Sequence, residues 1–305
     1  MSRTHRWFAG AALAGAAWMM VAPASAQDKI NCLIIDGQNN HAWGATTPPI
    51  KAMLLATGRF NVDVLTSPPK GAPKEAWEKF RPDFSKYQVV FSNYNGEPWP
   101  EEVNAAFEKF MNAGGGLVVY HAANNAFPQW EAWNKMIGLG WRNAQFGDRI
   151  TVDDSGKVVR TPKGEGPGAG HGPQHPYECV VRDKDHPITH GMPEKWIHVK
   201  DELYQGMRGP AQDLHILVTA WADPAQKGTG THEPMAFTVA FGKGRVFVNL
   251  LGHDATSVSD PGCTALMIRG TEWAAAGQVT VPLPKDLVAS PAMPAAPAAK
   301  PAEKK

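Results

Sequence analysis

Short apolar runs alternate with amphipathic segments between residues 30 and 120, and this alternation constrains the fold more than any other feature of the sequence. Runs typical of strands covered on both faces occur at 30–35, 60–65, 87–92 and 117–120. Segments with apolar residues at helical spacing lie between them, at 48–56 and 100–112. Strands and helices in alternation favour a parallel sheet with right-handed crossovers. We therefore predict an α/β fold with a doubly wound, mostly parallel sheet.

The later part of the chain adds further candidate elements to the same domain. Strands are predicted at 177–181, 214–220, 235–241 and 245–250, and a final helix at 263–275. Residues 153–176 are rich in Gly, Pro and His, which is typical of a long surface excursion. We see no linker-like break, and we predict a single domain over residues 27–287.

The two ends of the chain differ from the rest. Residues 1–26 carry Arg3 and Arg6, then an apolar run, then Ala24-Ser25-Ala26, which is the pattern of a secretory signal peptide. We expect cleavage after Ala26, no stable membrane anchor, and a periplasmic or secreted protein. Residues 288–305 are rich in Pro, Ala and Lys and predict a disordered tail.

Charge and cysteine content exclude several classes of protein. Cleavage would remove Arg3 and Arg6 and leave 28 basic against 29 acidic residues, which gives no attraction to nucleic acid. Three cysteines are too few for a disulfide scaffold. Each of them is expected to be a small buried apolar residue.

Polar side chains collect where the predicted strands end. His41 follows the first strand, Asn95 the third, His121 and Asn124 the fourth, and His253 the last. In parallel sheets, ligands bind at the carboxyl ends of the strands. Neutral imidazoles at such an edge can ligate a metal or carry protons. We therefore expect a shared site at this edge, although no compact ligand spacing such as H-x-x-x-H on a helix is present. His171 and His175 have this spacing, but Gly172 and Pro173 exclude a helix there.

Several of these segments together resemble one known family. They are Asp36-Gly37-Gln38-Asn39-Asn40-His41-Ala42-Trp43, Gly114 to Ala123, Asp201-Glu202-Leu203-Tyr204, Gly230-Thr231-His232-Glu233-Pro234 and Leu251-Gly252-His253-Asp254. The chain from Lys29 to Pro282 is similar to the ThuA-like family, named for a trehalose-utilisation protein. The resemblance implies a flavodoxin-like sheet similar to that of class I glutamine amidotransferases, and a role with disaccharides or their 3-keto forms.

Amidotransferase chemistry itself is excluded by the residues present. It needs a cysteine thiolate at a tight strand-to-helix turn, where this chain has Val119-Tyr120-His121-Ala122-Ala123.

We expect acid/base chemistry on a small-molecule carbohydrate, with a divalent ion such as zinc as a possible cofactor. The catalytic candidates are His121, His253 and Glu202, of which His121 and His253 are also the metal-ligand candidates. The substrate-binding candidates are His41, Trp43, Asn95, Asn124 and Tyr204. Asp254 is a candidate for orienting His253. Glu233 either reaches the site or has a structural role, as a cap or in a salt bridge.

The sequence leaves the reaction open. An isomerase, a lyase and a hydrolase all suit these residues, and so does a non-catalytic sugar-binding or accessory module. The exact substrate and the oligomeric state are also left open.

Overall fold

The computed structural model describes residues 28–289. The predicted signal peptide and all but the first two residues of the predicted tail lie outside this range, so both stay predictions. Within the described range, no helix has the length and apolar character needed to cross a bilayer.

One half of the central sheet is parallel, as predicted. Its strands, in spatial order, are β2 (Phe60–Thr66), β1 (Ile30–Asp36), β3 (Val89–Ser92), β4 (Gly116–Tyr120) and β11 (Gly244–Asn249). Each of these strands pairs with its neighbour in parallel register. Because the chain moves from β1 to β2 on one side and then to β3 on the other, the β1 and β3 ends form a topological switch point.

The other half of the sheet is antiparallel, which corrects the prediction of a mostly parallel sheet. Its strands are β10 (His232–Phe241), β9 (His215–Trp221), β7 (His175–Val181), β8 (Lys195–Asp201), β5 (Arg149–Val152) and β6 (Val158–Thr161). They pair antiparallel with one another, and β10 joins them to β11. The whole is a mixed, 11-stranded sheet. The connections between these strands contain no α-helix, so no helical crossover places successive strands in parallel.

Helices cover both faces of the sheet. They are α1 (Trp43–Ala56), α2 (Lys74–Glu78), α3 (Glu101–Asn112), α4 (Glu131–Ile137), α5 (Ala255–Val258) and α6 (Pro261–Ala276). Alternate residues of β1 belong to separate apolar layers: Cys32 and Ile34 pack with α1 and α6, whereas Leu33 and Ile35 pack with α3 and α4. This burial on both sides explains why β1 reads as a continuous apolar run.

Two local predictions need correction. The first helix begins at Trp43 rather than at Pro48, and it contains both Pro48 and Pro49. Trp43 is therefore the first residue of a helix and not part of a loop. The predicted surface excursion contains the strand β6, and it pairs with β5 as a hairpin. Its polar, Gly-rich composition hid these short strands from the sequence pattern.

A buried carboxylate fixes α6 to the edge of the sheet. Glu272 is fully buried and accepts hydrogen bonds from Arg59 Nε at 2.8 Å, Thr280 N at 2.7 Å and Val281 N at 3.0 Å. Burial by itself would raise the pKa of Glu272, but its hydrogen bonds from Thr280 and Arg59 hold the pKa below the ordinary value. The carboxylate therefore stays ionised and paired in the folded protein.

We expect Glu272→Gln to lower the free energy of unfolding by about 3–5 kcal/mol at pH 7, because it leaves the Arg59 guanidinium without its buried partner. Since the folded-state pKa is depressed, this contribution is complete above the ordinary glutamate pKa of about 4.3 and declines as the pH falls below it. Urea unfolding at pH 7 and at pH 4 measures both effects. Glu131→Gln is the control, because Glu131 pairs with Lys135 on the surface, where solvent screens the pair. Equal losses for the two variants would contradict the prediction.

Candidate metal centre

Four side chains from distant parts of the sequence converge at one edge of the sheet. His41 follows β1, His121 follows β4, His253 follows β11, and Glu202 follows β8. One ligand atom from each residue lies within 4.8 Å of the others. The structure thus brings together the three histidines that the sequence placed at strand ends.

Three imidazole nitrogens surround a single carboxylate oxygen. Oε2 of Glu202 lies 3.3 Å from His41 Nε2, 3.2 Å from His253 Nδ1 and 3.5 Å from His121 Nε2. Of these contacts, only the one with His41 has the geometry of a hydrogen bond. Among the described residues, His121 Nε2 and His253 Nδ1 are buried without a hydrogen-bond partner. Buried polar atoms are rarely left unpaired, so the cluster is a candidate site for an ion.

His121 is held in an uncommon backbone conformation. Its φ of 43° lies in the left-handed region, which non-glycine residues seldom adopt. Such strain costs of order 1–3 kcal/mol and clusters at functional sites. This conformation turns the chain sharply at the end of β4. The His121 imidazole lies next to those of His41 and His253, with ring centroids 4.8 and 5.8 Å away.

A hydrogen bond sets the tautomer of His121. Its Nδ1 lies 2.7 Å from the carbonyl oxygen of Leu250, so Nδ1 carries the proton and Nε2 presents a lone pair to the cluster. Burial lowers the pKa of His121, which keeps the ring neutral. Tyr204 packs on the same ring, with centroids 4.2 Å apart. A neutral, oriented imidazole is the form that binds metals.

Glu202 supplies the negative charge of the cluster. Burial would raise the pKa of Glu202, but its close contacts with the imidazoles of His121 and His41 outweigh this effect and hold the pKa well below its usual range. The side chain is 10% exposed. The site therefore contains one carboxylate and three imidazoles facing one small volume.

A second carboxylate, Asp201, positions two members of the cluster. Its oxygens accept hydrogen bonds from the backbone N–H groups of Glu202 at 2.8 Å, Gly252 at 2.7 Å and His253 at 3.1 Å. Gly252 has a φ of 107°, and a Cβ there would lie 2.6 Å from the Tyr120 ring. Asp201 thus joins the end of β8 to the turn after β11, and only glycine fits that turn.

Asp201 is itself held by a buried histidine. His198 Nε2 lies 2.7 Å from Asp201, and His198 Nδ1 lies 3.1 Å from Asp260, whose side chain caps α6. Burial alone would lower the pKa of His198, but the two carboxylates raise it to about 9. A buried imidazolium between two carboxylates therefore links the loops of the cluster to the start of α6.

The donor set fits a divalent transition metal. Imidazole nitrogen suits zinc, iron, copper and nickel, and a carboxylate completes a set of three nitrogens and one oxygen. His41, which the sequence analysis assigned to substrate binding, lies in the same cluster. The structure therefore adds His41 and Glu202 to His121 and His253, the two metal ligands predicted from the sequence.

The other four predicted substrate-binding residues differ in where they lie relative to this cluster. Trp43 and Asn95 line a neighbouring cleft, and Tyr204 is buried against His121. Asn124 is fully buried, with its Nδ2 3.4 Å from the Met207 sulfur. It has no access to a substrate, because the chain after β4 turns inward as a short 3₁₀ helix over His121–Asn125.

A further histidine, His171, lies near the site, although it was not among the predicted site residues. His171 Nε2 lies 3.5 Å from the other oxygen of Glu202, Oε1, and its side chain is 35% exposed. Its ring neighbours are Trp141 and Tyr204, at centroid distances of 5.8 and 6.2 Å. A helical spacing pattern can reveal only ligands that are close together in the sequence. His171 lies far from Glu202 in the sequence, and only the folded chain brings the two residues together.

Two alternatives left open by the sequence are resolved. Asp254 caps α5 by accepting hydrogen bonds from Thr256 N and Ser257 N, so the role of orienting His253 belongs to Asp201. Glu233 forms a buried ion pair with Arg149.

The cysteines lie in the interior. Cys32, Cys179 and Cys263 are free and buried, and burial raises the pKa of each thiol. A protonated, buried thiol is a poor nucleophile.

Comparison with known proteins gives the family. The family model described as "ThuA: Trehalose utilisation" matches residues 31–274. A ThuA-like protein from Parabacteroides merdae ATCC 43184 is 43% identical, with a TM-score of 0.81 over 86% of this chain and 95% of that chain. A ThuA-like protein from Bacteroides uniformis ATCC 8492 is 19% identical, with a TM-score of 0.58 over 85% of this chain and 98% of that chain, and shows a shared fold.

No curated protein matches the chain. The family match covers most of the sequence, and it includes all four residues of the cluster and Asp201. This chain is therefore a member of the ThuA family.

Proposed function

We propose that this protein is a carbohydrate-active enzyme whose His41, His121, Glu202 and His253 hold one divalent metal ion. The observation that carries the proposal is the convergence of three imidazole nitrogens on one carboxylate oxygen, with two of those nitrogens buried and unpaired. The family description supports a sugar as the substrate.

The chemistry we infer is acid/base catalysis on a disaccharide or a keto-sugar derivative. A bound divalent ion would act as a Lewis acid that polarises a carbonyl or hydroxyl oxygen. His121 orients its lone pair through the hydrogen bond to Leu250. His171 lies outside the four-residue set and is partly exposed, so we assign it the movement of a proton between substrate and solvent.

Export is a further part of the proposal. It rests on the signal-peptide pattern of residues 1–26. The buried thiols support the view that the protein is not a glutamine amidotransferase.

Metal analysis of the purified protein tests the centre. We expect about one divalent ion per chain, because four donors of one site converge. His121→Ala and His253→Ala should each lose the ion, since each removes a ligand. His215→Ala should retain it, because His215 lies on β9 and pairs with Asp183 at the surface. Turnover of disaccharides and their 3-keto derivatives, followed by NMR, should cease on chelation and return when metal is added.

Two results would contradict this proposal. Chelator-insensitive turnover would remove the metal from the mechanism. A stoichiometric ion with binding of sugars but no conversion would favour the non-catalytic binding module instead.

The positioning role of Asp201 gives an independent test. Asp201→Asn should weaken metal affinity by about 10–100-fold, because the Asn amide group cannot accept all the hydrogen bonds that orient Glu202 and His253. Competition with a chelator at a temperature where the variant is folded measures the affinity. Glu272→Gln is the matched control, since it also alters a fully buried carboxylate but lies outside the site. If both variants bind metal equally well, Asp201 stabilises the fold without positioning the ligands.

A further inference from the structure

An open cleft of about 520 Å³ lies at the same edge of the sheet as the metal centre. Its walls come from the segments after three neighbouring strands: Asn40 and Trp43 after β1, Lys70 after β2, and Asn95 and Glu97 after β3. This volume falls in the range of about 300–1,000 Å³ that is usual for small-molecule sites. The cleft lies at the topological switch point between β1 and β3, where open α/β sheets bind ligands.

The cleft and the metal centre share one loop. Asn40 and Trp43 line the cleft on either side of His41 in the sequence. Asn39, which also lines the cleft, accepts a hydrogen bond from His41 N at 3.0 Å through its Oδ1. A ligand in the cleft would therefore lie next to the loop that presents His41 to the metal centre.

A buried amide holds the walls of the cleft in place. Gln38 accepts a hydrogen bond from Glu97 N at 3.0 Å and donates one to the Pro68 carbonyl oxygen at 2.8 Å. It therefore links the segments after β1, β2 and β3. Gly96 approaches it so closely that a Cβ there would lie 2.3 Å from Gln38 Cβ. The cleft is thus preorganised, which reduces the entropy lost when a ligand binds.

The polar groups of the cleft are complementary to hydroxyl groups. Asn95 Nδ2 donates a hydrogen bond to Asn40 Oδ1. Among residues 28–289, Asn40 Nδ2 and Asn95 Oδ1 form no hydrogen bond with another residue, so the pair offers one donor and one acceptor. Adjacent hydroxyls of a sugar, which both donate and accept, match such a pair.

Trp43 adds an apolar surface to this polar cleft. It is half-buried, and no aromatic ring of the described residues packs on it, in contrast to Trp99, Trp130, Trp133 and Trp141. Indole rings pack well against the C–H faces of sugar rings. The Glu97 carboxylate accepts hydrogen bonds from Gly71 N and Gln38 Nε2, and Lys70 is exposed to solvent.

We propose that this cleft is a sugar subsite that holds the non-reacting pyranose ring of a disaccharide while the other ring lies at the metal centre. The assignment of the second ring rests on the proposed function. The cleft's own ligand is a neutral pyranose, recognised by Trp43 on its C–H face and by Asn40 and Asn95 through adjacent hydroxyls.

Calorimetric titration of the full metal-loaded chain tests the subsite, with trehalose, sucrose and cellobiose as disaccharide probes and glucose as the monosaccharide. At least one disaccharide should bind about tenfold more tightly than glucose. Trp43→Ala should remove most of this advantage, and Asn95→Ala should weaken disaccharide binding severalfold, because each loses one contact. Metal content should be unchanged in both variants. Trp221→Ala is the matched control, since Trp221 is 39% exposed on β9, outside the cleft, and it should bind as the wild type does.

The subsite is overturned if none of the disaccharides binds more tightly than glucose, or if Trp43→Ala and Asn95→Ala both bind them as the wild type does. Loss of metal in Asn95→Ala would also overturn it, because the residue would then act on the metal centre. Failure of the proposed function would give a different experimental result. Disaccharides bound through Trp43 and Asn95, with no turnover at any metal loading, would leave the subsite in place and remove the enzyme.

Discussion

The carboxylate of Asp201 is the constraint on which the arrangement of the site depends. The strand β8 lies at the opposite end of the strand order from β2, yet its last residue hydrogen bonds to the turn after β11. Without that contact, Glu202 and His253 would have no common anchor. His198 and Asp260 extend the anchor to the start of α6. The isolated charge of Asp201 would be costly in the interior, and the imidazolium of His198 offsets this cost.

The three histidines of the cluster come from the parallel half of the sheet and are positioned in a different way. His41, His121 and His253 are each placed by the end of a parallel strand, so their positions follow from strand order. The backbone conformations of His121 and Gly252 then set the final positions of the His121 and His253 side chains. Strain of this kind persists only where the surroundings fix it. At His121, the Leu250 hydrogen bond and the Tyr204 ring do so.

The sequence predicted β1 to β4, β11, α3 and α6 closely because their apolar runs are continuous and their ends carry glycine or proline. It failed at β5, β6 and β8, where the strands are short or polar and partly exposed. His41, His121 and His253 follow predicted strands, so they could be placed at one edge of the sheet. His171 follows β6, which was not predicted, so it could not be placed. Its contact with Glu202 depends on how the segment after β6 folds back, and no periodic pattern encodes that path. The misassignment of Asp254 has a related cause, since adjacency in sequence does not show which carboxylate faces a backbone N–H group.

The composition of the cluster bears on whether it is structural or catalytic. Four protein ligands complete a tetrahedral site, as in structural zinc centres, whereas catalytic sites keep a position for water or substrate. Here the side chains of His253 and His171 are 27% and 35% exposed, so one side of the cluster is open. An ion that accepts five or six ligands would keep positions on that side. A structural centre would gain nothing from this opening, nor from a preorganised cleft beside it. The open side therefore favours a centre that acts on a ligand over one that only stabilises the fold.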